Sequence, residues 1–297
     1  MNLPIIKLRH LWFMISGGLV ALSVVALVVF PIRLGIDFTG GSLLEVDFSG
    51  ERPHSAEVAT VVSDIGLGEA TVQTVGETGM LVRMKEVGEA DHQRLLSALD
   101  ERFQGISERR FENIGPTVGE ELKSKAVWSI ALVLVGIALY IAYAFRKVSR
   151  PVASWKYGLV TLVVGVLHDV IIPLGAIAVA GHYALAEINS SFIAAILTVL
   201  GFSVHDSIVV FDRIRENLLK TSGTFEEILE RSVNETLARS INTSLTTVLP
   251  LLAVYFIGGE SLRWFSFTLI VGMISGAYSS IFLCSPLLLV LQKKGRK

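Results

Sequence analysis

Six stretches of this chain are apolar for long enough to cross a lipid bilayer, and the rest of the fold has to be fitted around them. An α-helix rises about 1.5 Å per residue, so roughly 20 apolar residues span a hydrocarbon core of about 30 Å. The stretches cover residues 11–31, 127–145, 157–180, 190–211, 237–257 and 265–291. In hydrocarbon each segment must satisfy its own backbone N–H and C=O groups, so six transmembrane helices are expected.

Only 18% of the 297 residues are charged, against roughly 25% in an average soluble domain, and 52% are hydrophobic. The charges are segregated. Residues 32–126 hold 17 of the 27 acidic and 10 of the 26 basic residues, net −7, which leaves the remaining chain net +6. A soluble acidic domain is therefore expected between the first and second helices, with 1–31 as N-terminus and first span, 127–291 as the remaining bundle and 292–297 as a basic tail. The overall charge of −1 supplies no basic field for nucleic acid, and the single cysteine, Cys284, excludes an intramolecular disulfide.

Lys and Arg in short connections mark the cytoplasmic side. Lys7 and Arg9 precede the first stretch, Arg146, Lys147, Arg150 and Lys156 follow the second, five lie over 213–239 and four follow residue 291. Residues 181–189 carry none, and the last short loop carries only Arg263. Both termini are expected in the cytoplasm and 32–126 outside. The basic start before 11–31 resembles a signal peptide, but its apolar run exceeds the usual core of about 7–15 residues and no small-residue cleavage site follows. A retained helix is expected.

Within 32–126 the apolar periodicity alternates. It predicts a strand over 42–48, a helix over 55–65, strands over 70–75 and 80–84 around the turn at Gly76–Gly79, a helix over 90–103 and a strand over 108–114. That order, βαββαβ, is the ferredoxin-like split unit, an α+β fold. Gly35-Ile-Asp-Phe-Thr-Gly-Gly41 lacks the Lys-Ser/Thr of a phosphate loop and has no helix signal, so a tight exit turn is expected there.

Inside the six stretches the only acids are Asp169 and Asp206, each preceded by a histidine, His168 and His205. A charge at the bilayer centre costs at least about 2.5–3.5 kcal/mol, so such residues line a pathway or meet a partner. On the fifth stretch Arg239, Asn242 or Thr243, Thr246 and Pro250 recur at helical spacing as one polar stripe. Gly272, Gly276 and Ser280 make a small-xxx-small line on the sixth, and Gly158 and Gly165 share a side with His168 and Asp169 on the third, so close helix approach is expected. Thr224 and Glu227 form a capping box, followed by Phe225, Ile228, Leu229, Ser232, Val233 and Leu237 on one face. That pattern predicts an amphipathic helix near 224–236 along the cytoplasmic interface.

Five motifs together resemble a known family. They are Gly35-Ile-Asp-Phe-Thr-Gly-Gly41, Gly115-Pro-Thr-Val-Gly119, His168-Asp169, the run from Gly201 through Val204-His-Asp-Ser207 to Asp212-Arg-Ile-Arg-Glu-Asn217, and Arg239-Ser-Ile-Asn-Thr-Ser244. The chain is similar from first span to last to the SecF family, the smaller half of the SecD–SecF accessory to the bacterial Sec translocon. The resemblance implies an RND-like half that pairs with SecD in the bacterial inner membrane. It also implies contact with the SecYEG translocon, YajC, lipid and the translocating polypeptide, and use of the proton-motive force for a late step of export. Asp206 matches the family's membrane aspartate of proton conduction, Arg239 the arginine opposite it, and Asp169 the aspartate of the third-span pair. His168, His205, Asn242, Thr243 and Thr246 would support them. His205 departs from the family, which commonly has Asn there.

A half-exporter of lipids or hydrophobic small molecules fits the same residues, and it too requires a second chain. An enzyme is not expected. Asp206 follows Gly-Phe-Ser-Val-His and not the Gly-x-Gly of an intramembrane aspartyl protease, and adjacent His and Asp point about 100° apart on a helix, a poor zinc set. Neither a metal nor a cofactor is expected.

Overall fold

A computed structural model of the chain describes residues 3–146, 153–184 and 186–294. Lys147, Arg150, Arg296 and Lys297, which contribute to the expected orientation, lie outside the described residues. The chain separates into a helical unit and a smaller sheet-containing unit, the latter made of Arg33–Val127 together with Glu187–Ser190.

Among the described residues, six helices are long and apolar enough to cross a membrane, matching the six expected: Arg9–Val29, Pro116–Ala144, Trp155–Ala184, Ser190–Lys220, Phe225–Ile257 and Leu262–Gln292. We label the first α1, and the short Ile36–Thr39 helix that follows it α2. The second span, α5, begins at Pro116, eleven residues before the apolar run. Proline suits a first helical turn, where its missing N–H would be unpaired anyway, and Glu121–Lys125 pairs at 2.8 Å along the polar start. The third span joins α6 (Ser154–Leu159) to α7 (Leu167–Ala184) through a π-helical segment, Val160–Val166. The fourth is α8 (Ser190–Lys220) and the fifth α9 (Phe225–Ile257). The sixth runs from α10 (Glu260–Tyr278) through a second π segment, Ser279–Cys284, into α11 (Ser285–Lys294).

The amphipathic stretch near 224–236 is not a separate interfacial helix. It forms the first turns of the 33-residue α9, because no glycine or proline interrupts the chain before Pro250. The capping box is present: Glu227 N–H donates to Thr224 Oγ1 at 3.3 Å, and Thr224 N–H to Glu227 Oε2 at 2.8 Å. Phe225, Ile228, Leu229, Ser232 and Val233 are all buried. Glu230, on the same turns, accepts from the N–H groups of Ile6 (3.1 Å) and Lys7 (3.3 Å) at the N-terminal end of the chain.

In the sheet unit the elements are β1 (Gly41–Phe48), α3 (Ser55–Asp64), β2 (Thr71–Val75), β3 (Gly79–Met84), α4 (Glu89–Phe103) and β4 (Ile106–Ile114). They form one four-stranded sheet, order β2-β3-β1-β4, with every pair antiparallel and a register shift between Glu45 and Val46 against β4. Strand alternation sends Leu44, Val46 and Phe48 of β1 with Met80 and Val82 of β3 onto Val58 and Val62 of α3 and Leu95 and Leu99 of α4. The expected exit turn is the one-turn α2 followed by Gly40 (φ 71°) and Gly41 (φ 125°). At Gly41 a Cβ would sit 2.7 Å from the Met84 carbonyl, so only glycine fits both the torsion and the space.

Candidate functional site

The small-residue line of the sixth span brings its backbone against α8. A Cβ on Gly272 would fall 2.3 Å from Val199 Cγ2, and one on Gly276 3.0 Å from Ser203 Cβ. Val199, Ser203 and Asp206 share one face of α8, so the next position of the line, Ser280, meets Asp206. On the third span, Gly165 similarly admits Cys284, whose Sγ would lie 3.1 Å from an added Cβ.

Asp169 is fully buried and is held by hydroxyls from two other helices. Ser275 donates to Oδ1 at 2.9 Å, Ser279 to Oδ2 at 2.7 Å, and Ser203 also donates to Oδ2. His168 Nδ1 lies 2.8 Å from Oδ1, and its Nε2 is buried among the described residues without a hydrogen-bond partner. Asp206, also buried, accepts from Ser240 of α9 at 2.6 Å on Oδ1 and from Ser280 on Oδ2.

Both carboxylates are therefore solvated by hydroxyls, and among the described residues no Lys or Arg pairs with either. A serine hydroxyl has one proton to give and two lone pairs to accept with. Ser279 Oγ also lies 3.1 Å from the Gly276 carbonyl, and Ser280 Oγ 3.1 Å from the Ala277 carbonyl. When the carboxylate is ionised, each hydroxyl can donate to it. When the carboxyl is protonated, the same hydroxyl can turn its proton to its own helix and accept from the acid. Such a cage satisfies both charge states without moving the backbone, which is what a reversible proton site requires. Ser279 and Ser280 lie within the π segment, a widened turn of the kind that often occurs at functional sites.

The other expected residues are placed differently. His205 is exposed and makes none of the contacts that hold Asp206. Arg239 is exposed and has no ion pair among the described residues; its neighbour Ser240 is the α9 residue that reaches Asp206. Arg239 lines a cavity of about 540 Å³ with Tyr140, Asp212, Arg213, Glu216 and Glu235. Asn242, Thr243 and Thr246 are exposed, and the Thr246 hydroxyl is satisfied by the Asn242 carbonyl at 2.9 Å. Ser203 and Ser240 lie inside the quoted motifs without a role of their own there, and Ser275 and Ser279 lie outside them. The available signal was their spacing: Ser203 three residues before Asp206, Ser275 and Ser279 one turn apart.

Six helices long and apolar enough to cross a membrane, two buried, hydroxyl-caged carboxyl groups among the third to sixth of them, and a small sheet domain between the first two in sequence define a multi-pass membrane protein. The chain belongs to the SecD/SecF family: residues 95–294 match the C-terminal region of the protein export membrane proteins SecD/SecF, and residues 25–50 match the SecD/SecF GG motif. It is 40% identical to the protein translocase subunit SecF of Thermobaculum terrenum, across 98% of this chain and 95% of that protein. The SecF subunit of Anaerolinea thermophila is 36% identical across 97% and 94%. Among solved structures, the chain is similar to SecDF, a translocon-associated membrane protein from Thermus thermophilus, with a TM-score of 0.84 and 31% identity. That match covers 99% of this chain but 39% of the longer SecDF chain.

Proposed function

We propose that this chain is the SecF-type subunit of a bacterial protein-export machine. It works with a SecD partner to turn the proton-motive force into a late step of export at the cytoplasmic membrane. The observation that carries the reading is the hydroxyl cage around Asp206, which accommodates both the charged and the protonated acid inside a membrane helix. Family membership supplies the context, and the matched SecDF chain, of which this chain covers 39%, suggests what completes it.

In this reading Asp206 is the main proton carrier, Asp169 with His168 the secondary site, and Arg239 the counter-charge. The exposed Arg239, Asn242, Thr243 and Thr246 would then face SecD, because polar groups on a membrane helix seek partners other than lipid. An arginine, always charged, favours an ionised carboxylate when it approaches, and apolar surroundings favour the protonated one. Each proton moved across about 100 mV releases roughly 2.3 kcal/mol, enough to bias a domain motion. The element order βαββαβ with antiparallel sheet order β2-β3-β1-β4 supports a ferredoxin-like fold for 32–126. We place that domain outside, with both termini cytoplasmic, where it would meet extended polypeptide leaving the SecYEG translocon, with YajC as a further neighbour. The chain would act as an accessory subunit, not an enzyme.

The test is gradient-driven export of a reporter polypeptide in inverted vesicles with and without this chain. Stimulation by an imposed proton gradient only when the chain is present is expected; equal export in both would overturn the proposal.

A further inference from the structure

The connection between the third and fourth spans belongs structurally to the sheet unit. Ile188 forms a parallel bridge with Leu34: Gly35 N–H donates to the Ile188 carbonyl at 2.9 Å, and Ile188 N–H to the Arg33 carbonyl at 2.8 Å. Ser190 is the first residue of α8, and its N–H donates to Asp37 Oδ2 at 2.7 Å, which puts a carboxylate at a helix N-terminus. Gly35 makes room for this seam, since a Cβ there would stand 3.1 Å from that of Asn189. Glu187 crosses to strand β3 and pairs with Arg83, both side chains largely buried.

We propose that residues 187–190, the segment that joins the helices of Asp169 and Asp206 in the chain, form a releasable latch within the sheet unit, closed by the Arg83–Glu187 ion pair, that opens during the proton cycle. The inference rests on the proton-driven reading above. The loop is covalently continuous with both helices, α7 before it and α8 beginning at Ser190, so release or docking of four residues acts on the helices of both acids.

A buried ion pair suits such a device better than it suits permanent glue. Removing two charges from water costs about as much as their attraction returns, whereas deleting one partner strands the other, so the pair defines a geometry at little net stability. Burial raises the Glu187 pKa despite the opposing attraction of Arg83 and Arg33, with Asp37 adding repulsion, and burial lowers that of Arg83. Arg83 Nε is buried without a hydrogen-bond partner among the described residues. The closed contact is therefore poised.

Charge reversal tests the pairing in the assembled export complex. Arg83→Glu and Glu187→Arg alone should each cut gradient-stimulated export roughly tenfold, and the double exchange should restore most of it. Singles that export like wild type, or a double variant as impaired as the singles, would overturn the latch. A second measurement does not depend on how the charge variants fold. With Leu34→Cys and Ile188→Cys across the parallel bridge, oxidation should abolish gradient stimulation and reduction should restore it. Full stimulation by the oxidised form would show that export does not need the seam to open, and would overturn the latch. Wild-type complex is the internal control: if it does not respond to the gradient, the export proposal itself has failed, whatever the variants do.

Discussion

Ser279 and Ser280 are consecutive in the sequence yet donate to different carboxylates, Ser279 to Asp169 at 2.7 Å and Ser280 to Asp206. One turn of the sixth span thus lies between the acid of the third span and the acid of the fourth. A change in the shape of this π segment would be felt at both acids. No charged partner is needed for that linkage.

A double-mutant cycle checks the assignment. Ser280→Ala should destabilise the folded protein in detergent by roughly 1–3 kcal/mol, and most of that loss should vanish in an Asp206→Ala background but persist with Asp169→Ala. Ser279→Ala should show the reverse pattern. Equal coupling of either serine to both acids would contradict the geometry.

The contact of the sixth span with α8 predicts an asymmetry among glycines. Gly272→Ala places a methyl 2.3 Å from the stiff, branched Val199 side chain and should cost about 1–3 kcal/mol. Gly201→Ala meets nothing within 4 Å, so it should be neutral or slightly stabilising. Thermal midpoints of the two purified variants decide between them.

Much of this architecture was legible before the structure. The six spans follow from hydropathy, and the strands and helices of 32–126 follow from period-two and helical patterning, with boundaries shifted by only a few residues. Gly272, Gly276 and Ser280 also announced a close approach, though not that α8 was the partner. The serine cages were hidden because a serine in a membrane helix reads equally well as a small packing residue, and which acid it meets is decided by helices far apart in sequence. The π segments were hidden for the same reason, since nothing local distinguishes Ser279–Cys284 from an α-helix. Arg239 drew attention by its charge, whereas Ser240, one residue on, is the one turned toward Asp206.

The sheet unit should fold by itself. Residues 33–127, expressed alone, are expected to show mixed helix and strand by circular dichroism and one cooperative transition, given the closed core of Leu44, Val46, Val82, Val62 and Leu95. Gly41→Ala, at φ 125° and facing the Met84 carbonyl, should cost more than about 1 kcal/mol in that transition. An all-helical spectrum would argue against the domain as described.

Proton transfer through Asp206 is tested most directly by one substitution. Asp206→Asn keeps the size of the side chain and stays bonded to both hydroxyls, its amide oxygen accepting from one of Ser240 and Ser280 and its NH2 donating to the other, while titration is removed. In vesicles with an imposed proton gradient, the variant complex should assemble normally and export at the basal rate, with the gradient-dependent increment gone. If Asp206→Asn responds to the gradient as wild type does, the carboxyl group only ties helices together and proton transfer does not pass through it.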